Sequence, residues 1–179
     1  VSLYDAHGVL FSQWVARGGA KLIVVNPRRD PTADYALLHG GLFLQIKVGT
    51  DTALHSAIAR IILENGWQDR DFIEQYTASS SDLASNSNPK WRQSLYSMSF
   101  DAYRDLILSD PDSEPAVAAE ICGIAVSEIY AAAAMMAKPD ATGMHPKTSM
   151  MLEKGNYWSH NYPNTASFGA LGLLVGAGN

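Results

Sequence analysis

The sequence predicts an α/β fold, a parallel sheet flanked by helices, on three observations. Residues 21–25 (Lys-Leu-Ile-Val-Val) form a continuous β-branched and Leu run that stops at Asn26-Pro27. A run of that length without polar alternation is the pattern of a strand covered on both faces. Residues 42–46 (Leu-Phe-Leu-Gln-Ile) make a second short strand, followed by a turn and the best helical stripe in the chain. The order βαβ, then several helices, then βα, belongs to the α/β class.

Each element has its own local cause. Residues 10–16 have the spacing of a short helix, closed by Gly18-Gly19. Pro27 ends the first strand because a proline cannot donate to a central ladder. After Gly49, Thr50 or Asp51 can cap a helix whose apolar residues fall at Ala53, Leu54, Ala57, Ile58, Ile61 and Ile62. That spacing is one helical stripe, and Gly66 supplies its stop. Asp69 starts a short helix carrying Phe72, Ile73 and Tyr76. Residues 78–92 are polar and rich in Ser and Asn, which reads as a loop insertion, since helical pattern resumes directly after it. Ser99 caps a helix through Leu108. Helices over residues 114–122 and 126–137 follow, separated by Gly123. Residues 147–152 are a third strand candidate, and residues 164–175 form a helix of small side chains. No internal repeat is visible.

Composition narrows the function classes. The chain has 179 residues, 47% hydrophobic and 17% charged, long enough for one domain with its own core. A net charge of −5 with scattered Lys and Arg leaves no basic footprint for nucleic acid. No run of about 18 apolar residues occurs, so no membrane insertion is expected. The chain starts at Val1-Ser-Leu-Tyr-Asp5, without Met or a signal-peptide pattern, and stops inside an apolar run. Both ends read as cut, so residues 1–179 are expected to be a partial domain of a larger subunit. The lone Cys122 excludes an intrachain disulfide framework and a Cys-rich metal site, and reads as a buried thiol on a helix face. His7, His39, His55 and His145 stand singly, without a partner at metal-ligand spacing, so no metal ligand is expected in the chain.

Three segments could carry chemistry. In parallel sheets, ligands bind at the carboxyl ends of strands, where loops and helix N-termini converge. Asn26-Pro27-Arg28-Arg29 lies at such an end, with an amide suited to ribose hydroxyls and cations suited to phosphate. Pro27 could equally just turn the chain and leave both Arg side chains in water. Gly49-Thr50-Asp51 permits close approach of a ligand and offers a hydroxyl and a carboxylate, or it is a turn with an N-cap. Residues 153–162 (Glu-Lys-Gly-Asn-Tyr-Trp-Ser-His-Asn-Tyr) form the densest polar and aromatic cluster, open to a structural reading as well. The glycine patterns of ordinary dinucleotide and P-loop sites are missing.

In this order the three segments resemble the large catalytic subunits of molybdopterin oxidoreductases, which include formate dehydrogenases, periplasmic nitrate reductases, arsenite oxidases and respiratory arsenate reductases. Val24-Val-Asn-Pro-Arg28 resembles that family's strand ending in Asp-Pro-Arg. Val48-Gly-Thr-Asp-Thr-Ala-Leu54 resembles its Pro-Gly-Thr-Asp turn, and Gly66-Trp-Gln-Asp-Arg-Asp-Phe-Ile73 its Gly-Trp-x-Asp-x-x-Phe-Ile segment. Leu152-Glu-Lys-Gly-Asn-Tyr-Trp158 is most similar to the arsenite oxidase branch, of the anaerobic type.

The resemblance implies a Rossmann-like partial domain that holds bis-molybdopterin guanine dinucleotide with molybdenum. It implies that Val25, Asn26, Pro27, Arg28 and Arg29, with Gly49, Thr50 and Asp51, line one guanosine end of that cofactor. It also implies Gly155 as a cofactor contact, with Glu153 and Lys154 as the catalytic candidates at the molybdenum pocket. Asn26 stands where the family usually has Asp; it can bond ribose hydroxyls but brings no charge. A 4Fe-4S cluster, with ligands outside this chain, a small iron-sulfur electron-transfer subunit and a periplasmic location are further implications. The activity implied is oxidation of arsenite to arsenate. Arsenate, formate or nitrate chemistry of the same family is the alternative, and a stand-alone nucleotide-binding module is the alternative outside it.

Overall fold

A computed structural model describes residues 13–15, 17–78, 98–151 and 162–177. Residues 13–15 and 17 are helical and close at Gly18, whose amide donates to the Trp14 carbonyl at 2.9 Å. Strand β1 (Ile23–Val25) pairs in parallel with β2 (Leu42–Leu44), in the register Ile23 to Leu42, Val24 to Phe43 and Val25 to Leu44. Flanking bonds from the Leu42 amide to the Leu22 carbonyl (2.8 Å) and from the Asn26 amide to the Leu44 carbonyl (3.2 Å) lengthen the ladder.

Parallel strands need a crossover, here helix α1 (Pro31–Leu38). Its boundaries are absent from the sequence reading, although its start is locally encoded. The Asp30 side chain accepts from the Ala33 amide at 3.0 Å, and Pro31 takes the first turn, where its missing N–H costs nothing.

Helix α2 (Asp51–Glu64) is the centre of the molecule. The expected stripe is there, but burial extends past it to His55, Ser56 and Ala59, because the small residues admit helices on several sides. Its end forms a Schellman motif: Gly66, at φ +65°, donates to the Leu63 carbonyl and Trp67 to that of Ile62. Helix α3 (Arg70–Tyr76) starts at Asp69, whose carboxylate accepts from the Phe72 amide at 3.0 Å. Helix α4 (Phe100–Ser109) starts at Ser99, whose hydroxyl accepts from the Ala102 amide at 3.2 Å. A short 3₁₀ turn (Pro111–Ser113) leads into α5 (Pro115–Cys122) and α6 (Val126–Ala137). Helix α7 (Tyr162–Leu174) closes the described chain.

Helices α5, α6 and α7 all pack on α2, and the core runs through Leu54, Ile61, Ile62, Ile129, Leu171 and Leu174. Arg60 ties this body together from its rim. Its guanidinium meets Glu64 at 2.8 Å and Glu114 at 2.5 Å, and donates to the Ser113 hydroxyl at 3.1 Å.

One expected element does not form. Residues 147–151 join no ladder, so the third strand of the sequence reading is corrected to an extended segment. The cause is the open end of α6. The Thr148 hydroxyl donates to the Met136 carbonyl at 2.7 Å, and His145 Nδ1 lies 3.3 Å from the Ala137 carbonyl. Thr148 and His145 thus serve two of the last carbonyls of a helix, which otherwise lack partners. The α/β character therefore rests on a two-strand parallel unit with a helical body. The Ser/Asn-rich loop of residues 78–92 lies, apart from Ala78, outside the described residues.

Candidate functional site

The carboxyl ends of β1 and β2 open into a cleft of about 780 Å³. Pro27 and Arg29 form one side, and Phe43, Gln45, Ile46, Lys47 and Val48 form the floor and the second side. Gly123, Ile124, Ala125 and Glu128, from the junction of α5 and α6, form the third.

The turn after β1 has a local cause. Asn26 Oδ1 accepts from the Arg28 amide at 3.1 Å, an Asx turn that bends the chain at Pro27. Gln45 closes it from β2 by donating to the Pro27 carbonyl at 3.2 Å. Val25 ends the strand partly exposed, and Arg28 is exposed and is not among the residues that line the cleft. Arg29 lines the cleft and bonds Asp34 through Nε at 2.6 Å. A guanidinium has five N–H donors, so this pair leaves its terminal amino groups for another acceptor.

The second turn has a different cause. Gly49 sits at φ +85°, a left-handed conformation that side chains with a Cβ rarely adopt. Thr50 occupies the N-cap position of α2 but makes no capping bond; its hydroxyl donates instead to the Lys47 carbonyl at 2.7 Å. Asp51 is the first residue of the helix. The capping role read for Thr50 or Asp51 is thus corrected: Thr50 holds the place, and its hydroxyl tightens the turn behind it. With no side-chain cap, the first amides of α2 and the positive end of its dipole stay open to an acceptor.

Lys47 assembles the third wall. Its amide donates to the Cys122 carbonyl at 2.9 Å and its ammonium to the Glu120 carbonyl at 3.0 Å, a cation at the carboxyl end of α5. Gly123 turns there at φ +75°, and a Cβ on it would stand 2.8 Å from Lys47 Cε. Cys122, fully buried as expected, donates to the Thr50 carbonyl at 3.5 Å, and burial raises its thiol pKa. That is a structural thiol, since reactive thiols need a lowered pKa. Glu128 accepts from the Ala125 amide at 2.8 Å, half of a capping box.

The structure thus brings Pro27 and Arg29 to one cleft and sets Gly49, Thr50 and Asp51 directly after its Val48 edge. Lys47, Gln45, Gly123 and Glu128 belong to the same cleft, and the sequence did not point to them as site residues. Two cations, an amide, a carboxylate and an aromatic ring around an open groove suit an anionic ligand with a planar base. The donor chemistry therefore fits the phosphate and guanosine portion of a nucleotide-bearing cofactor. Glu153, Lys154 and Gly155 lie outside the described residues.

No protein-family model matches the sequence. The iodate reductase subunit IdrA of Pseudomonas sp. (strain SCT) is 42% identical over 189 aligned positions, covering all of this chain and 21% of that protein. The arsenite oxidase subunit AioA of Herminiimonas arsenicoxydans is 27% identical, over 93% of this chain and 18% of its own length. Among solved structures, acetylene hydratase from Pelobacter acetylenicus superposes with a TM-score of 0.62 at 22% identity, covering 92% of this chain and 18% of that one. At that identity the likeness speaks for the fold alone. The homologues are molybdopterin oxidoreductase catalytic subunits, as the order of motifs implied. The arsenite branch is not singled out, because identity to the iodate reductase subunit is higher over a longer stretch. The chain spans about a fifth of the length of the curated relatives it matches.

Proposed function

We propose that this chain is a segment of the catalytic subunit of a molybdenum-dependent oxidoreductase acting on a small oxyanion, with reduction of iodate as the reaction. In this reading the segment holds one guanosine end of a bis-molybdopterin guanine dinucleotide cofactor. The cleft at the strand ends carries the proposal, because Pro27 and Arg29 of the first motif line it, Val48 at its edge leads into the second, and two cations face it. Identity of 42% over the whole chain supports iodate as the substrate.

When bound, the cofactor supplies oxygen-atom and electron transfer at molybdenum. The residues here bind and orient it. Arg29 and Lys47 carry the charge for phosphate oxygens. Val25, Asn26, Pro27 and Arg28 shape the approach to ribose. Gly49 leaves room for backbone contact, and Thr50 and Asp51 offer acceptors to a guanine N–H edge. Glu153 and Lys154 are proposed to face the substrate, with Gly155 against the cofactor. A 4Fe-4S cluster bound elsewhere in the full protein, an iron-sulfur partner subunit and a periplasmic location complete the proposal.

A second reading is oxidation of arsenite, favoured by the Leu152–Trp158 motif and by a 27% identical arsenite oxidase subunit. The full-length protein decides between them. Molybdenum and guanine nucleotide should co-purify with it, and iodate should reoxidise a reduced viologen dye. Arsenite-dependent dye reduction without iodate turnover would replace the first reading by the second. Absence of both molybdenum and nucleotide from an active preparation would reject the cofactor role.

A further inference from the structure

His55 is buried, polar and outside the cleft, one turn into α2 on the face that meets α7. Its Nδ1 lies 2.9 Å from the Ser167 hydroxyl oxygen. That hydroxyl donates to the Asn164 carbonyl at 2.9 Å. One turn nearer the start of α2, the Thr52 hydroxyl donates to Asn164 Oδ1. The Phe168 ring stands edge-on to the imidazole at 5.8 Å.

The directions of these bonds are constrained by proton count. A hydroxyl has one hydrogen, and Ser167 gives its hydrogen to Asn164. Its oxygen must then accept from His55, so the imidazole carries a proton on Nδ1. The bonds that cross between the helices therefore both run from α2 to α7. Asp51, on the same helix, is the charged group that acts on His55; burial is the larger influence and keeps the ring neutral.

We propose that Thr52, His55, Asn164 and Ser167 form a positioning clasp for the Gly49–Thr50–Asp51 turn, an inference that rests on the cofactor role proposed above. Apolar packing farther along α2 is non-directional and tolerates small sliding or rotation of a helix. Hydrogen bonds are directional, and a misplaced one leaves a buried polar group unpaired. The first turn of α2 has no side-chain cap to fix it. Its position is set instead from two sides, by Cys122 on the Thr50 carbonyl and by the clasp on Thr52 and His55. Thr52 directly follows Asp51, so the clasp sets where the turn stands at the edge of the cleft.

The test uses the full-length protein with Ser167→Ala, Ser167→Thr, Thr52→Val and Thr52→Ser. Three quantities are read: molybdenum and guanine nucleotide retained after dialysis, exchange of the residue 54–56 amides that bond the carbonyls of residues 50–52, and kcat and KM of the loaded molecules. Ser167→Ala and Thr52→Val should speed exchange at residues 54–56 by about fivefold to tenfold, as expected for one lost hydrogen bond. They should lower retained molybdenum by a similar factor and leave KM unchanged, while Ser167→Thr and Thr52→Ser restore both. Unchanged exchange and retention would overturn the clasp, as would conservative variants no better than the deletions. Faster exchange spread evenly through α2 and α6 would also overturn it, by showing a purely global effect. Wild-type protein without molybdenum would reject the cofactor role, and with it the purpose of the clasp, while exchange at residues 54–56 would still report whether the clasp holds the first turn of α2.

Discussion

Around α2, Leu54, Ile61 and Ile62 are fully buried by helices that close from several sides, whereas at the strand ends Val48 is 85% exposed and the Arg29–Asp34 pair stands in water. The helical body gains its stability from apolar area and close approach of small residues. The turns gain almost none that way; hydrogen bonds to backbone carbonyls shape them, and their side chains are left for a ligand. The clasp lies between the two, a polar patch inside the apolar body. Substitutions should therefore separate into those that cost stability and those that cost binding, and four experiments measure how clean that separation is.

The largest effect is expected in the body. Ile61→Ala removes a fully buried side chain from the middle of α2 and should cost about 2–5 kcal/mol. Thermal unfolding of the full-length protein checks it, with Val48→Ala as the counterpart, which should change stability by less than about 0.5 kcal/mol. Equal effects at the two positions would erase the distinction between the regions.

Acid should act on the patch between them. Burial pushes the His55 pKa down to about 4 from 6.5, with Asp51 opposing. The unfolded chain therefore takes up this proton first as pH falls, so stability is full above pH 6.5 and declines toward pH 4. A shift of that size corresponds to about 3 kcal/mol, reached near and below pH 4. Melting temperatures of wild type and His55→Gln between pH 4 and 7 test it. The wild type should lose stability faster on acidification, and parallel curves would show that His55 does not carry the acid sensitivity.

Helix ends were the most legible part of the sequence. Asp69, Ser99 and Gly66 all act where side-chain chemistry placed them, because a cap is decided within about four residues. Helix α1 was implied by the βαβ order but its bounds were not legible, because it buries Thr32, Ala33 and Ala36, small residues that make no apolar stripe. Residues 147–151 read as a strand because their pattern says nothing about the open helix end they serve. In the site, Asn26–Arg29 and Gly49–Asp51 were visible because each is a turn with its own residues. Gly123 and Glu128 were not, since only the fold brings the α5–α6 junction beside Lys47, whose ammonium bonds the Glu120 carbonyl 73 residues on along the chain.

Gly123 is where the body reaches the cleft, so its substitution should touch both regions. Gly123→Ala forces a Cβ into a left-handed conformation, at about 1–2 kcal/mol, and presses on Lys47 Cε. The lysine stem can shift, but its ammonium then leaves the Glu120 carbonyl or the cleft. Unfolding free energy lowered by about that amount, together with weaker cofactor retention, is expected. Lowered stability with full retention would show that Lys47 contributes nothing to binding.

The smallest stability effect and the sharpest contrast belong to Arg29 and Asp34. The pair is 2.6 Å apart with side chains 61% and 52% exposed, so its loss should cost less than about 1 kcal/mol in either variant. Arg29→Ala and Asp34→Ala should thus melt alike. Their effects on the cofactor should differ in sign. Arg29→Ala removes a cation from the cleft and should weaken retention, whereas Asp34→Ala releases Nε of Arg29 for the phosphates and should strengthen it. The difference should shrink as salt is raised, since exposed charges are screened over about 10 Å at 0.1 M. Nucleotide retained after dialysis at low and high salt distinguishes the outcomes. Parallel loss in both variants would mean that the ion pair, as a structural brace of the turn, is what the cleft requires.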